Sequence, residues 1–489
     1  MEWAQGDIEE ALAQIWREIL QRESVGRDAN FFELGGNSLL ALDALARINQ
    51  QFGSELTVAD AYMNPTVREV AQALSGGQTE NNFVDLRQEA VLDERIRALP
   101  GPCHTPPESI LLTGATGFVG RFLLAQLLRD TNATLYCLVR PGSARAALPR
   151  LNETLRKWGL WRDEFEHRIV AIAGDLRLPG LGVSASTYRE LCQRIDSIYH
   201  CATSMNHLET YSMAKAANVD AIGELLQLAT HTKPKLTNYI STLSVFSEFT
   251  TGTERAVDEA TSIDEERHRS SHGYAASKWV GEKVFRMACE RGIPCNVFRL
   301  GLIWADAREG RYDELQSGYR LLKSCLLAGL GIRDYRYDFP PTPVDYTARA
   351  VVFLSSQYSQ GGGIFHITAG SAAVERVFER CNEILGAPLE LVPFHDWVQQ
   401  IKRLHREGRT LPIVPVIEYA FSMDEAAFVE RQRRTRASVP RCDCTQTQRE
   451  LQQAGIVVPG AVDDLLRVCL QGLVSHDPQL TGLAIGRAS

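Results

Sequence analysis

Tyr274 and Lys278 stand four residues apart in Tyr274-Ala275-Ala276-Ser277-Lys278, so on a helix they share one face. A free phenol titrates at about pH 10 and exchanges protons poorly at neutral pH, whereas a close ammonium favours its ionised form. A tyrosine so placed can trade a proton with a reacting oxygen, and the lysine can also bond a ribose and fix a nicotinamide ring. Spacing alone suits a solvated helix face equally well. The chemical reading gains because the pair follows a strand that ends in Ser241-Thr242 and lies behind a nucleotide turn.

That turn is Thr113-Gly114-Ala115-Thr116-Gly117-Phe118-Val119-Gly120, between an apolar strand and a helix expected over Arg121 to Leu128. Gly114 permits a tight turn, Gly117 lets a pyrophosphate approach the backbone, and Gly120 allows close packing of helix on strand. The glycine spacing is G-x-x-G-x-x-G rather than the commoner G-x-G-x-x-G, and a purely structural turn is the alternative. The next strand, Ala133 to Val139, ends at Arg140, 20 residues after Gly120. An acidic residue there would hold the ribose hydroxyl of NAD, whereas an arginine can pair with the 2′-phosphate of NADP. NADPH is therefore the expected cofactor, with a plain surface charge as the other reading of Arg140. Asp175, in Gly174-Asp175-Leu176, is placed either to accept from an adenine amine or to cap a turn.

A third feature lies far upstream, in Phe31-Phe32-Glu33-Leu34-Gly35-Gly36-Asn37-Ser38-Leu39-Leu40. Two glycines free the chain to turn, and Ser38 then stands at the start of an amphipathic helix. Unpaired backbone N–H groups and the helix dipole favour an anion there, so the hydroxyl can carry a phosphodiester. Capping the helix is the commoner task for such a serine.

The elements that must position these residues fall into two regimes. Ile8, Leu12, Ile15, Trp16, Ile19 and Leu20 form one stripe and predict a helix over residues 7–21; a second is expected from Ser38 to about Gln51 and a third from Val67 to Leu74. The polar run Ser75-Gly76-Gly77-Gln78-Thr79-Glu80-Asn81-Asn82 marks a linker. A further helix is expected from Val84 to about Ala98. Beyond it, strand-like runs (Ser109–Thr113, Ala133–Val139, Arg168–Ala173, Ser197–Cys201, Leu236–Thr242 and Asn296–Leu300) alternate with helical ones, which predicts a parallel sheet covered on both faces. After about Ala305 helices dominate. The division expected is 1–77, 78–108, 109–304 and 305–489.

Composition narrows the classes of function. Residues 1–77 hold 12 acidic and 5 basic side chains, so nearly all of the chain's net charge of −8 sits there. Neither part is basic, which leaves nucleic acid without an electrostatic footprint. No apolar run approaches the roughly 20 residues of a bilayer span, and the start of the chain turns acidic at once, without a secretory signal. The 11 scattered cysteines suit reduced thiols and a cytoplasmic setting. Cys442 and Cys444 lack a second ligand pair nearby and make a poor zinc site.

Residues 1 to about 77 resemble the peptidyl carrier domains of nonribosomal peptide synthetases, through Leu34-Gly35-Gly36-Asn37-Ser38, Ile15-Trp16 and Phe31-Phe32. Residues 84–489 resemble the thioester reductase domains of such synthetases and of carboxylic acid reductases, within the extended short-chain dehydrogenase/reductase family. That likeness rests on the Thr113 to Gly120 turn, Cys137-Leu138-Val139-Arg140, Gly174-Asp175-Leu176, Asn218-Val219, Ser241-Thr242-Leu243-Ser244-Val245, Tyr274 to Lys278 and Pro343-Val344-Asp345-Tyr346. The resemblance implies a small helical carrier bundle followed by a Rossmann-type doubly wound sheet and a smaller, mostly helical C-terminal substrate lobe.

It also implies 4′-phosphopantetheine on Ser38, a triad of Thr242, Tyr274 and Lys278, and a cofactor site lined by Gly114, Thr116, Gly117, Phe118, Val119, Gly120, Arg140, Arg150, Asp175, Leu176, Cys201, Ala202, Thr203 and Ser241. The implied reaction is NADPH-dependent release of a carrier-bound acyl or peptidyl thioester as an aldehyde, with possible onward reduction to the alcohol. Its partners would be a phosphopantetheinyl transferase and an upstream synthetase or adenylating enzyme, since no adenylating segment is legible. Two departures concern the cofactor pocket: Cys201-Ala202-Thr203 replaces the usual glycine-rich wording after His200, and Leu300 follows Arg299 where many relatives have proline. The rival readings are a nucleotide-sugar dehydrogenase or epimerase and a non-catalytic carrier-presenting scaffold.

Overall fold

The computed structural model of the chain describes residues 4–480 apart from 21, 33, 35–37, 55, 57–59, 62–63, 75–83, 141–146, 206–210, 247–255, 265–272, 338–339, 373, 415 and 418–440, and leaves undescribed the side chains of residues 38, 39, 42, 43 and 46. The linker run lies outside the described residues.

The N-terminal helices are α1 (Gly6–Leu20), α2 (Ser38–Phe52) and α3 (Val67–Leu74), within two residues of the stripes that predict them. Their buried faces share one core in which Leu12, Trp16, Ile48 and Val67 are each under 4% exposed. Trp16 meets Phe31 edge-on at 4.9 Å, so the aromatic pair before the glycines anchors the loop leading to α2. Glu9 is a carboxylate buried beside this core. Arg27 holds it with two hydrogen bonds of 2.6 and 3.0 Å, tying that loop to α1.

The larger part is built on seven strands, labelled β1 (Ser109–Thr113), β2 (Thr134–Val139), β3 (Ile169–Ala173), β4 (Ser197–His200), β5 (Leu236–Thr242), β6 (Cys295–Leu300) and β7 (Ile364–Ile367). Every pairing is parallel, in the order β7-β6-β5-β4-β1-β2-β3. Side chains alternate across the pleat. Ile110 and Leu112 pack into the core that holds the helices Phe118–Asp130 and Val344–Gln357, while Leu111 packs with Leu225 and Leu228 of the helix Ala221–Ala229 on the other face. Burial on both faces explains why these strands read as continuous apolar runs.

Two expectations need correction. The segment from Val84 to Ala98 is not a helix; only Leu86–Glu89 makes a helical turn. Arg291 takes the carbonyls of Leu92, Asp93 and Ile96 as hydrogen-bond acceptors, fixing this stretch in a non-helical path across the core. The sheet also does not end near residue 305. Its seventh strand comes from Ile364–Ile367 and its covering helix from Val344–Gln357, so the chain returns to the sheet after starting the outer lobe. The outer lobe proper is mostly helical, with the short strand pairs Ile303–Trp304 with Thr342–Pro343 and Leu330–Ile332 with Glu390–Val392.

Candidate active site

The strand order reverses at β1, between β4 and β2, and a parallel sheet opens its binding crevice at the carboxyl ends of strands at such a point. A cavity of about 440 Å³ lies there. Its walls include the glycine turn, Arg140 and Arg150, Asp175 and Leu176, Cys201 to Thr203, Ser241 and Thr242, and Tyr274 with Lys278. The structure thus brings to one cavity every residue named from the sequence for this site. Ser38 belongs to the other part of the chain; it is the first residue of α2, and Gly35 to Asn37 before it lie outside the described residues.

The turn is shaped for close approach. Gly114 has φ +76°, and a Cβ there would sit 2.6 Å from the Ala202 backbone nitrogen; one on Gly120 would sit 1.9 Å from the Gly114 oxygen. Gly117 caps the helix Phe118–Asp130 with no side chain bonded to its first N–H groups, so that end is disposed to receive a phosphate. Thr113 accepts from the Ala202 N–H at 3.2 Å and shares a 2.8 Å hydrogen bond with His200, joining the turn to the end of β4. Burial drives the His200 pKa down to about 3, so this imidazole is a neutral strut. Arg121 clasps the turn from below, donating to the carbonyls of Thr116 and Gly117 and pairing with Asp313 at 2.9 Å.

At one end of the cavity the groups are cationic and exposed. Arg140 and Arg150 are open to solvent. Arg177, which sequence reading missed, joins them and grips both oxygens of Asp175, with Nη2 to Oδ2 at 2.8 Å. Hydrogen bonding from Arg177 holds the Asp175 carboxyl below its usual range. Asp175 is therefore engaged rather than an open acceptor, and the only sequence sign of its partner is its position two residues on.

The other end is buried. Thr242 is 7% exposed and Lys278 3%. Thr242 and Tyr274 line the cavity together; burial pushes the phenol up to about 12, with neighbouring Thr242 opposing. Lys278 donates to the Ile240 carbonyl at 2.8 Å and lies 4.7 Å from the Tyr239 ring centre. Burial brings its ammonium down to about 8. The four-residue spacing suggested that Lys278 eases ionisation of Tyr274. The geometry instead commits the ammonium to Ile240 and Tyr239, and the phenol stays protonated at neutral pH.

Ser241 also differs from expectation. It borders the cavity, but its hydroxyl donates to Glu282 at 2.7 Å, and Glu282 in turn receives Arg299 at 2.6 and 2.9 Å. Both partners of this ion pair are wholly buried, and Arg299 reaches on to His366 of β7 at 3.1 Å. The pair locks the ends of β5, β6 and β7 to the helix Gly273–Glu290 that carries Tyr274 and Lys278. Cys442 lies 3.1 Å from His366 and is buried. Among the described residues, no cluster of three or more His, Cys, Asp or Glu side chains is placed to hold a metal, and no helix is long and apolar enough to cross a membrane.

Comparison with known proteins supplies the family. Residues 112–351 match the family described as male sterility protein, and residues 10–74 match the phosphopantetheine attachment site. The terminal R domain of the myxalamid PKS-NRPS biosynthetic pathway superposes with a TM-score of 0.71 at 30% identity, covering 80% of this chain and 97% of that one. The chain belongs to the terminal reductase family of nonribosomal peptide synthetases. It is an NAD(P)H-dependent oxidoreductase preceded by a phosphopantetheine-bearing carrier, an arrangement that implies a phosphopantetheinyl transferase and upstream modules that load the carrier. A thiolation-reductase di-domain from an archaeal non-ribosomal peptide synthetase has the same fold over 98% of this chain and 99% of its own, with a TM-score of 0.66 at 22% identity. Glycine betaine reductase ATRR from Emericella nidulans is 31% identical over 410 residues, or 80% of this chain, and an isonitrile lipopeptide synthase from Streptomyces coeruleorubidus is 30% identical over 413, or 81%. The reductase chain spans about a third of the length of these curated relatives, 32% of the first and 28% of the second.

Proposed function

We propose that this reductase releases an acyl or peptidyl chain from its own carrier, as an aldehyde, with NADPH as reductant. The observation that carries this reading is the joining, in one cavity, of a phosphate-receptive glycine turn, a cationic rim and the hydroxyls of buried Thr242 and half-buried Tyr274 beside Lys278. The chain would ride as a thioester on a 4′-phosphopantetheine arm at Ser38, whose place at the start of α2 suits an anionic phosphodiester. The acidic carrier suits basic docking faces on the transferase and on the synthetase or adenylating enzyme that loads it.

NADPH fits the residues present: Gly114, Gly117 and Gly120 leave room for the pyrophosphate, and Arg140 and Arg150 offer charge to the 2′-phosphate. Thr116 to Val119, Leu176 and Cys201 to Thr203 line the rest of its path. When bound, it supplies the hydride. Tyr274, held protonated by burial, donates to the thioester oxygen as charge develops there, and Thr242 gives that oxygen a second hydrogen-bonding partner. Lys278, braced by Ile240, faces the same cavity and orients the nicotinamide ribose. The hemithioacetal so formed collapses to an aldehyde and the free carrier thiol; a second hydride transfer to that aldehyde would give the alcohol.

Ser38→Ala tests the carrier half. Intact mass spectrometry is expected to show the arm on the parent chain after treatment with a phosphopantetheinyl transferase, and none on the variant. The reductase half is tested by NADPH oxidation with acylated carrier against a nucleotide sugar. No oxidation with the acylated carrier, together with isomerisation of the nucleotide sugar or its oxidation by NAD(P)⁺, would turn the assignment to an epimerase or dehydrogenase.

A further inference from the structure

Glu282 sits on the helix Gly273–Glu290 four residues after Lys278, and its side chain is wholly buried. Its two oxygens are bound from two strands. Oε2 accepts from the Ser241 hydroxyl of β5 at 2.7 Å, and Oε1 accepts from Nε and Nη2 of Arg299 of β6 at 2.9 and 2.6 Å. Ser241 shares a peptide unit with Ile240, and the Ile240 carbonyl of that unit accepts from the Lys278 ammonium at 2.8 Å. The grip on Ser241 is therefore also a grip on the acceptor that holds Lys278.

Arg299 is held in turn from its far side. His366 Nδ1 lies 3.0 Å from the Asp443 carbonyl, which can only accept, so that nitrogen carries the proton and Nε2 accepts from Arg299 Nη1 at 3.1 Å. Burial drives the His366 pKa down to about 3, so the imidazole is neutral and the anion facing Arg299 is Glu282. The titratable groups around Lys278 are Cys201 and His200 at the end of β4, Tyr239 of β5, and Tyr274 and Glu282 of its own helix. Desolvation keeps the first four uncharged at neutral pH, which leaves Glu282 as the negative charge among them.

We propose that Glu282 is a positioning residue for Lys278: held between Ser241 and Arg299, it fixes the Ile240–Ser241 peptide and so the place from which Lys278 meets the nicotinamide ribose. The proposal rests on Lys278 orienting NADPH. A nearby anion also favours the ammonium over the neutral amine, so the same carboxylate sets both the place and the charge of the lysine. Glu282 reaches neither cofactor nor substrate, because it is enclosed behind Ser241. Its effect on the reaction passes through Lys278 and the strand that carries its acceptor. Length matters as well as charge: an aspartate, one methylene shorter, keeps the charge but falls short of one of the two partners.

The test is the pH profile of kcat/KM for NADPH, measured on the full chain with a soluble S-acyl pantetheine thioester. In the parent the rate is expected to fall above about pH 8, where Lys278 loses its proton. Glu282→Gln keeps the shape and removes the charge, so its limb is expected about one pH unit lower. Glu282→Asp keeps the charge and loses a partner. Its limb is expected near the parent's, with KM for NADPH raised about three- to tenfold, the worth of one hydrogen bond. A limb that stays in place in Glu282→Gln overturns the proposal even if kcat falls, since that marks a structural role. An unchanged KM in Glu282→Asp overturns it too, and decides alone should Glu282→Gln not fold. Lys278→Met keeps the two readings apart. If it loses the limb and binds NADPH weakly while both Glu282 variants match the parent, only the positioning fails; if Lys278→Met itself matches the parent, the reading beneath it fails.

Discussion

The two ends of the cavity are built on opposite plans. At the end assigned to the adenosine phosphate, Arg140, Arg150 and Arg177 are exposed on loops and a helix flank, with Arg177 paired to Asp175. At the end assigned to the nicotinamide, Thr242 and Lys278 are almost wholly enclosed, and a buried ion pair braces the helix and strands behind them. Exposed cations select a ligand by charge and are screened by salt. Enclosed hydroxyls and a desolvated ammonium lose that screening, but they need fixed partners, because an unpartnered buried polar group costs about 1–3 kcal/mol. Discrimination among cofactors and the chemical step should therefore answer to different variables.

The largest effect that could break this contrast is at Tyr274. Tyr274→Phe keeps the ring and removes the donor, so turnover should fall by about 10²–10⁴ while NADPH affinity, read by fluorescence titration, stays level. Arg299→Met comes next. It leaves Glu282 buried without its partner, which should lower stability in urea unfolding by about 3–5 kcal/mol. A loss below about 1 kcal/mol would mean the brace is dispensable. Arg140→Ala should weaken NADPH about ten- to a hundredfold and leave NADH nearly unchanged, with a difference that shrinks as salt rises. Equal losses for both cofactors would place Arg140 elsewhere.

The smallest effect is a pH limb. Lys278 loses its ammonium as pH rises through about 8, well below the usual 10.5, so kcat/KM for NADPH should drop by about tenfold per pH unit above that point. In the same window the unfolded chain binds more protons at this site than the folded chain does, so this group's contribution to stability rises with pH. Loss of this ammonium therefore does not itself destabilise the fold, and Lys278→Met, however slow, should lose the limb.

Much of this arrangement was legible in the chain. Six of the seven main strands follow from apolar runs buried on both faces, and the turn and the Tyr274–Lys278 pair follow from spacing. β7 escaped because Ile364–Ile367 is only four residues long and follows three glycines, leaving too little pattern to read. The expected helix from Val84 failed because Arg291, some 200 residues on, captures its carbonyls, and no local propensity encodes that. Glu282 shows the same limit. It looks like any helix carboxylate until β5 places Ser241 against it. The role of Ser38 came from resemblance to carrier domains, since its local chemistry serves a helix cap equally well.

The central claim is that the thioester leaves by reduction at Tyr274. The direct measurement is a single turnover of carrier-loaded protein with NADPH, trapping aldehyde with a hydroxylamine and following cofactor absorbance in the same sample. Aldehyde is expected to form in step with NADPH oxidation in the parent chain and to be nearly absent in Tyr274→Phe. Free acid released without oxidation of NADPH, or undiminished aldehyde from Tyr274→Phe, would contradict it.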